Sequence, residues 1–309
     1  MNRGLLAATF GPEIRSYAAQ TGIDVKLVRL GPLGQERPAL LDEGVYFDLS
    51  PFTSDFDAVF FRSGGIDRLR EAIARRSLEP VRNASKLRVA APIAKPGAVI
   101  GIGTNYAGHA AESGSPPPGD VVMFLKAPNT VSGPYDPIWI PMGSSKTDWE
   151  VELGVVIGRE ASRLASPVES IAHVAGFVTV NDVSEREFQL EASGGQWSKG
   201  KCFPGFAPTG PWLATPDEVN YRDVRLRSWV NGEPRQDART GDMVFGVDDL
   251  IWRLSQFLTL EPGDLVLTGT PQGVALSGRF PFLAPGDVVE VEVDGLGRQR
   301  TAMNSEVPS

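Results

Sequence analysis

The segment DWEVELGVVIG, residues 148–158, places three acidic side chains in a run that otherwise predicts a buried β-strand. Side chains of a strand alternate between its two faces, so Glu150 and Glu152 project to one side and Trp149 and Val151 to the other. One interpretation is a half-exposed strand with a solvated acidic face. The other is a strand that contributes half of a metal site. The alternation alone does not decide between them.

The composition points to a protein that acts on a small molecule. The chain has 309 residues, of which 41% are hydrophobic and 22% charged, enough for one large domain or two unequal ones. Its net charge is −8 and its pI about 5.0, and no cluster of Lys and Arg is found. Because phosphate-rich partners require such clusters, we expect neither a nucleic acid nor a membrane surface as partner.

The sequence also predicts a cytoplasmic protein without disulfides. The single cysteine, Cys202, excludes an intrachain disulfide and fits a reducing compartment. The first residues, MNRGLLAATFGPEIRS, lack the long apolar run of a signal peptide. Elsewhere the chain has no apolar run near the roughly 18 residues that a membrane span needs.

Turn residues and periodicity divide the chain near residue 92. Residues 25–51 alternate short β-like runs with Gly and Pro, which predicts a small antiparallel sheet, and residues 65–78 predict an amphipathic helix. Beyond the connector AAPIAKPG come six further β-like runs. We therefore expect an α+β, β-dominated fold, with a smaller N-terminal unit over residues 1–92 and a β-rich body over residues 93–309.

Of the two histidines, His109 is the candidate for catalysis. It follows a β-like run and a turn at the start of a short helix, with Glu112 three residues later on the same helical face. Such a carboxylate can orient the imidazole and make it a stronger general base, although the same spacing also describes a surface ion pair. His173 lies among apolar residues and is expected to be structural.

A dinucleotide site is not expected. Gly101 and Gly103 in GIGTNY supply the first half of a dinucleotide-binding fingerprint, but Tyr106 stands where the third glycine belongs. No acidic partner follows at the usual distance, so a Rossmann domain is not expected.

A second acidic segment, VNDVSEREFQ, adds Asp182 at the end of another predicted strand. Carboxylates from Glu150, Glu152 and Asp182, without Cys or His, would suit a hard cation such as Mg²⁺ or Mn²⁺. Arg186 would then be placed to hold a substrate carboxylate with both arms of its guanidinium group. Spacing in the sequence cannot by itself bring the two acidic segments together.

Six motifs in order resemble the fumarylacetoacetate hydrolase family across residues 98–300: GTNYAGHAAE, DWEVELGVVIG, VNDVSEREFQ, KGKCFPGFAPTGPW, VNGEPRQ and LEPGDLVLTGTPQGV. Residues 25–90 resemble the small N-terminal α/β domain of its bacterial members, and residues 1–24 look like an extension. The resemblance implies a mixed β-sandwich roll of packed sheets around one divalent metal ion per subunit, Mg²⁺ or Mn²⁺, and a homodimer. It also implies a substrate with a 1,3-dicarbonyl or 2-oxo acid group.

The resemblance further implies a role for each motif residue. The metal ligands would be Glu150, Glu152 and Asp182, and a water-activating dyad on a mobile lid helix would be His109 and Glu112. Lys201 would lie close to the reacting carbonyl, and the other substrate-binding positions would be Arg186, Gln189 and Thr270. Asp148 matches no ligand position and is expected to support the site without touching the metal.

The expected activity is hydrolysis of a C–C bond in an acylpyruvate or 2,4-diketo acid. Alternatives are a decarboxylase or isomerase of 2-oxo acids, a ureidoglycolate lyase, and a non-catalytic protein with a structural cation. The motifs look most like the branch that contains hydrolases of 2,4-diketo-3-deoxy sugar acids and proteins labelled ureidoglycolate lyase. One departure from that branch is Pro204, which replaces an acidic residue near Lys201. Closure of residues 105–120, hinged at Gly108 and Gly114, would exclude water.

Overall fold

The computed structural model describes residues 25–75 and 78–305, so the expected extension at residues 1–24 lies outside the described residues. The strands are β1 Lys26–Leu30, β2 Arg37–Asp42, β3 Val45–Asp48, β4 Val89–Ala90, β5 Val99–Gly103, β6 Val122–Lys126, β7 Val131–Ser132, β8 Ile138–Ile140, β9 Thr147–Asp148, β10 Val151–Ile157, β11 Val174–Asn181, β12 Ser184–Glu185, β13 Ala207–Pro208, β14 Leu213–Ala214, β15 Arg225–Val230, β16 Glu233–Arg239, β17 Leu265–Leu267, β18 Val288–Val293 and β19 Gly297–Ser305.

The helices are short and lie between these strands. The α-helices are α1 Ala58–Arg62, α2 Gly65–Arg75, α3 Ala107–Glu112, α4 Ser198–Lys201 and α5 Val247–Leu254. Single turns of 3₁₀ helix, a longer 3₁₀ segment at Pro167–His173 and a π-helix at Glu187–Glu191 complete the helical structure. Over residues 25–75 and 78–305, no helix has the length and apolar character that a membrane crossing requires.

Two sheets organise the described chain. The larger is 10-stranded, in the order β3-β2-β1-β14-β11-β10-β17-β5-β6, with β4 added beside β1. The smaller is 5-stranded, in the order β16-β15-β18-β19-β8. Most neighbours are antiparallel, but β17 pairs with β5, and β19 with β8, in parallel. The α+β, β-dominated fold of packed sheets is confirmed.

The predicted N-terminal antiparallel sheet is present and is continuous with the sheet of the body. Strands β1, β2 and β3 pair in sequence order, and β1 also pairs with β14, Leu27 lying opposite Leu213. Leu27 shares one apolar core with Val178 of β11 and Leu69 of α2. The division near residue 92 stays a prediction.

The ten-stranded sheet is covered on both faces. In β11, Phe177 packs into a core with side chains of β15, β18 and α5, while the next residue, Val178, packs into a second core with α1 and α2. Strand β10 lies beside β11 and is buried along its whole length, with Val155 in the first core and Val156 in the second. The interpretation of β10 as a half-exposed strand with a solvated acidic face is therefore wrong.

Amphipathic patterns explain the two longer helices. In α2, Leu69 and Ile73 are buried and lie one turn apart, as the sequence predicted, and the described part of the helix is Gly65–Arg75. In α5, acidic residues lie in the first turn and Arg253 in the last, so the charges at both ends interact favourably with the helix dipole.

We expect Leu27→Ala to lower the free energy of unfolding by about 2–5 kcal/mol, because it opens a cavity in the core shared by the N-terminal strands and the body. Leu33→Ala is the matched control, since Leu33 is 80% exposed and Leu27 fully buried, and should change stability by less than about 0.5 kcal/mol. Calorimetry should show one shifted transition. Two separate transitions, with only one of them shifted, would contradict the shared core.

Candidate active site

Antiparallel pairing of β10 with β11 brings the two acidic segments together. In this register Val151 lies opposite Asn181, and the amide of Asp182 donates to the carbonyl of Glu150 at 2.9 Å. One carboxylate oxygen from each of Glu150, Glu152 and Asp182 lies within 4.8 Å of the others. The sequence could name these residues, but only the strand register places them side by side.

All three carboxylates are buried, with Glu150 4%, Glu152 1% and Asp182 0% exposed. Ionised carboxylates out of water require cationic or hydrogen-bonding partners. The ammonium group of Lys201 lies 2.6 Å from Oε2 of Glu150 and 2.7 Å from Oδ2 of Asp182. Burial opposes the charge on Lys201, but Asp182 and Glu150 outweigh it and raise the pKa of this lysine.

Glu150 is held as a carboxylate. Burial alone would raise its pKa, but the nearby charges of Lys201 and Arg186 outweigh burial and lower the pKa to about 2. The sequence did not indicate Lys126, whose ammonium group forms an ion pair with Asp182 and donates to the carbonyl of Phe206 at 3.0 Å. Burial lowers the pKa of Lys126.

Asp148, the third acid of the opening segment, binds the protein itself. Its carboxylate accepts hydrogen bonds from Nε of Arg186 at 2.8 Å and from the amides of Ala275 and Leu276 at 2.8 and 3.0 Å. Asp148 thus joins β9 to Arg186 and to the 3₁₀ turn Ala275–Ser277. This placement explains how Asp148 can support the site without being a ligand.

Arg186 is held by several partners at once. Its Nη2 atom lies 2.7 Å from Oδ2 of Asp148 and 2.7 Å from Oε1 of Glu150. Its Nη1 atom donates to Oε1 of Gln189 at 2.8 Å. Burial is outweighed by these carboxylates, which raise the pKa of Arg186. Asp148 occupies Nε and Nη2 of Arg186, and Glu150 also contacts Nη2, so the expected two-armed grip would require one of these carboxylates to be displaced. Nη1, beside Gln189, is the atom that remains to meet a substrate carboxylate.

Glu152 is the carboxylate that side chains compensate least. Its Oε2 accepts from the amide of Gly269 at 2.6 Å, and no cationic side chain of the described residues forms an ion pair with it. Burial, and then the charges of Asp182 and Glu150, raise its pKa well above the usual range. In this cluster four carboxylates, including Asp148, face Arg186 and two lysines.

That donor set fits a hard divalent cation. Three buried carboxylates, each with one oxygen within 4.8 Å of the others, supply the oxygen ligands that Mg²⁺ and Mn²⁺ prefer. One of the three, Glu152, has no ion-pair partner among the described residues, and burial disfavours its charge. A cation bound by these oxygens would offset that charge. The residues that could hold the metal are therefore Glu150, Glu152 and Asp182.

The predicted dyad is formed on α3. Nδ1 of His109 lies 3.1 Å from Oε1 of Glu112, and both side chains are largely buried. Oε1 of Glu112 also accepts from the amide of Gly273 at 3.1 Å, and its Oε2 lies 2.7 Å from Nη2 of Arg279. Burial would raise the pKa of Glu112, but His109, Gly273 and Arg279 together lower it. The surface-pair interpretation does not fit a histidine that is 6% exposed.

A cavity of about 210 Å³ brings the dyad and the cluster into one space. Of the candidate site residues, those that line it are His109, Glu112, Glu150, Arg186, Gln189, Lys201 and Thr270. Glu152 and Asp182 are not part of its lining and lie deeper. Oγ1 of Thr270 already donates to the carbonyl of Val151 at 3.0 Å and accepts from Gln236 at 2.8 Å. Thr270 therefore offers a substrate little free hydrogen-bonding capacity.

The structure also shows the surroundings of the histidine predicted to be structural and of the two glycines predicted as hinges. His173 is half-buried outside this cavity, and its Nδ1 lies 2.7 Å from the carbonyl of Glu160, which fits a structural side chain. Gly114 has a φ of 75° just after α3, a conformation that favours glycine. Gly108 instead packs against Gln272, where a Cβ atom would lie 2.3 Å from Oε1. The hinge roles of the two glycines stay predictions.

Residues 98–304 match the family model described as fumarylacetoacetate (FAA) hydrolase C-terminal. The chain belongs to the fumarylacetoacetate hydrolase family. A relative from Burkholderia ambifaria named "Putative hydrolase" is 47% identical over 281 residues, which cover 89% of this chain and 97% of the relative. Both acidic segments and the dyad lie within the residues that match the family.

Two solved structures resemble this member of the fumarylacetoacetate hydrolase family along nearly its whole length. The 2-hydroxyhepta-2,4-diene-1,7-dioate isomerase from Mycobacterium marinum has a TM-score of 0.71 and 28% identity, covering 92% of this chain and 100% of that chain. The maleylpyruvate hydrolase from Sphingobium sp. SYK-6, in complex with manganese(II) and pyruvate, has a TM-score of 0.75 and 25% identity, covering 91% and 100%.

In this family member, Pro204 and Lys201 line different cavities. Pro204 is exposed and lines a separate groove with Arg88 and Trp139. Lys201 keeps Glu150 and Asp182 as carboxylate partners. The loss of an acidic residue at position 204 therefore leaves the direct charge partners of Lys201 unchanged.

We expect Mn²⁺ to raise the melting temperature of the wild-type protein, because a cation bound only by the folded state adds about 2.7 kcal/mol at 100 times its dissociation constant. Glu152→Gln should abolish the rise without lowering the melting temperature of the metal-free protein, since a neutral amide replaces a buried carboxyl group whose raised pKa means that burial disfavours its charge. Scanning calorimetry with and without Mn²⁺ measures both.

Asp148→Asn is the matched control for the metal experiment. Unlike Glu152, Asp148 forms an ion pair with Arg186 and accepts two backbone amides. Its replacement should therefore lower the melting temperature of the metal-free protein and still permit the rise with Mn²⁺. A rise of wild-type size in Glu152→Gln would contradict the assignment of Glu152 as a ligand.

We expect Arg279→Gln to speed amide hydrogen exchange in α3 by up to about fivefold at low salt, because a half-exposed ion pair contributes at most about 1 kcal/mol. High salt should shrink the difference by screening the pair. Exchange is followed by mass spectrometry of peptides from residues 105–115. Arg298→Gln is the matched control, because it breaks a comparable ion pair with Glu290. It should leave the exchange rates of α3 unchanged. An equal effect of both variants would refute the conclusion that Arg279 stabilises α3 through Glu112.

Proposed function

We propose that this protein is a divalent-metal-dependent hydrolase that cleaves a C–C bond in an acylpyruvate or another 2,4-dioxo acid. The observation that carries the proposal is one cavity lined both by the dyad, His109 and Glu112, and by Glu150 and Lys201 of the acidic cluster. A general base and a charged cluster that face the same small space can act on two ends of one substrate.

The reaction adds water across the bond between C3 and C4 of the substrate. The water oxygen bonds to C4, the bond from C3 to C4 breaks, and C3 takes up a proton, so that a carboxylate and a 2-oxo acid are released. The electron pair left on C3 is stabilised by delocalisation onto the oxygen of the 2-oxo group. A divalent cation held by Glu150, Glu152 and Asp182 would supply Lewis-acid chemistry at that oxygen.

His109 is the residue that can take the proton from water. Glu112 contacts Nδ1, so Nε2 remains to accept a proton from a water molecule in the cavity. Glu112 stabilises the imidazolium that results, and its own charge is maintained by the Gly273 amide and by Arg279. Removal of a general base of this kind typically costs 10²- to 10⁴-fold in rate.

Lys201 and Arg186 would bind the 2-oxo acid end. The ammonium group of Lys201 is held between Glu150 and Asp182, which fixes a positive charge at the wall of the cavity beside the developing oxyanion. The Nη1 atom of Arg186, together with the side chain of Gln189, can hold the substrate carboxylate. Binding at this end places C4 on the side of the cavity that faces the dyad.

The dyad favours hydrolysis over decarboxylation or isomerisation, which need a stabilised enolate but have less need of an activated water. The two similar solved structures are a protein named as a maleylpyruvate hydrolase and one named as an isomerase. Isomerisation or decarboxylation of a 2-oxo acid is therefore the second candidate function, and a homodimer in the cytoplasm remains our expectation for the protein in the cell.

We expect the wild-type protein with Mn²⁺ or Mg²⁺ to convert acetylpyruvate into acetate and pyruvate. His109→Ala should lower kcat by about 10²- to 10⁴-fold, because water is no longer deprotonated, while the Mn²⁺ effect on melting temperature persists. Product analysis by NMR and calorimetry measure the two. Release of CO₂ from oxaloacetate without cleavage of any 2,4-dioxo acid would reassign the protein as a decarboxylase, and undiminished hydrolysis by His109→Ala would refute the general base.

His173→Ala is the matched control for the histidine experiment. It removes the other histidine of the chain, which lies outside the cavity. Its kcat should stay within about twofold of wild type, so that a general loss on replacing a histidine is distinguished from loss of the base.

A further inference from the structure

One wall of the cavity is built from two aromatic rings laid over glycines. Phe124 covers Gly101, where a Cβ atom would lie 2.2 Å from the ring, and Trp197 covers Gly103, where it would lie 2.3 Å from the indole. The glycines that resembled half of a dinucleotide fingerprint therefore make room for side chains. Both rings line the cavity.

The aromatic wall adjoins Lys201. The ammonium group of Lys201 lies 5.1 Å from the centre of the Phe124 ring, and the centres of the Phe124 and Trp197 rings are 6.0 Å apart. A substrate anchored at Lys201 would therefore place its acyl tail along this wall.

The cationic side chains of the lining are all committed at the reactive end. Among the described residues that line the cavity, Arg186 and Lys201 are the lysine and arginine side chains, and both form ion pairs inside the acidic cluster. His109 faces Glu112, and Arg279, which holds Glu112, is not part of the lining. No cation of the described lining is left for a second carboxylate.

The lining of the cavity also includes hydroxyl groups near the end of α3. Ser113 and Ser115, just after α3, line the cavity, and Oγ of Ser113 is buried without a hydrogen-bond partner among the described residues. A hydroxyl can bond an uncharged oxygen of a tail but cannot neutralise a carboxylate. The volume of about 210 Å³ is below the ~300–1,000 Å³ of sites for drug-sized ligands, which favours a short tail.

We propose that the substrate is a monoanionic 2,4-dioxo acid with a short, uncharged acyl tail that lies against Phe124 and Trp197, and that the site rejects substrates with a second carboxylate on the tail. This inference rests on the proposed function for the position of the reactive end. Its physical basis is that a carboxylate taken from water into this end would have no cationic partner.

The test uses two substrates that differ only at the far end. Butanoylpyruvate ends in a methyl group, and succinylpyruvate carries a carboxylate at the same position. We expect kcat/KM with Mn²⁺ to be at least about 100-fold higher for butanoylpyruvate, because the site cannot pair the second charge. Hydrolysis would yield butanoate and pyruvate in one case, and succinate and pyruvate in the other.

A variant tests the cause of the preference. Leu190 lines the cavity and is 43% exposed, so Leu190→Arg adds a cation without removing a core side chain. It should raise kcat/KM for succinylpyruvate relative to butanoylpyruvate by at least about tenfold. Val168→Arg adds the same charge at an exposed position outside the cavity and should leave the ratio unchanged.

Binding measurements separate failure of the specificity from failure of the reaction. Affinity of the His109→Ala variant with Mn²⁺ for each acid is measured by calorimetry. Hydrolysis of both acids at similar kcat/KM would overturn the uncharged tail and leave the hydrolase intact. If neither acid is cleaved but butanoylpyruvate binds at least about 30-fold more tightly, the preference stands and the reaction is wrong. Equal binding without cleavage would overturn both.

Discussion

Excess negative charge buried between β10 and β11 is the constraint on which the site depends. The pairing of these central strands forces Glu150, Glu152 and Asp182 together in the interior, where ionised carboxylates are costly unless they are compensated. Lysine side chains and Arg186 compensate part of that charge, and Glu152 is left with a backbone amide. A divalent cation is the chemical group that such an oxygen-rich, under-compensated site fits.

The rest of the site is arranged around this cluster. Asp148 ties Arg186 to the 3₁₀ turn that follows Gly273, and the amide of Gly273 in turn holds Glu112 of the dyad. The cluster and α3 are therefore linked through one segment, although they come from distant parts of the chain. Small displacements of that segment would alter the positions of the His109–Glu112 pair and of Arg186 together.

The sequence predicts the β-dominated fold, the family and the three carboxylates, because these are carried by local motifs. It cannot predict that β10 is buried on both faces, since alternation looks the same whether the second face meets water or a second core. Lys126 and Arg279 were missed because their partners lie 56 and 167 residues away in the chain. Neither belongs to a motif, and strand register and loop packing alone bring them to the site.

The anomalous signal of Mn²⁺ in crystals grown with that ion tests the central claim most directly. We expect a single strong peak in contact with a carboxylate oxygen of each of Glu150, Glu152 and Asp182. A map with no peak between these side chains, or with the ion bound elsewhere and the ammonium group of Lys201 still joining Glu150 to Asp182, would contradict the metal centre and the hydrolase built on it.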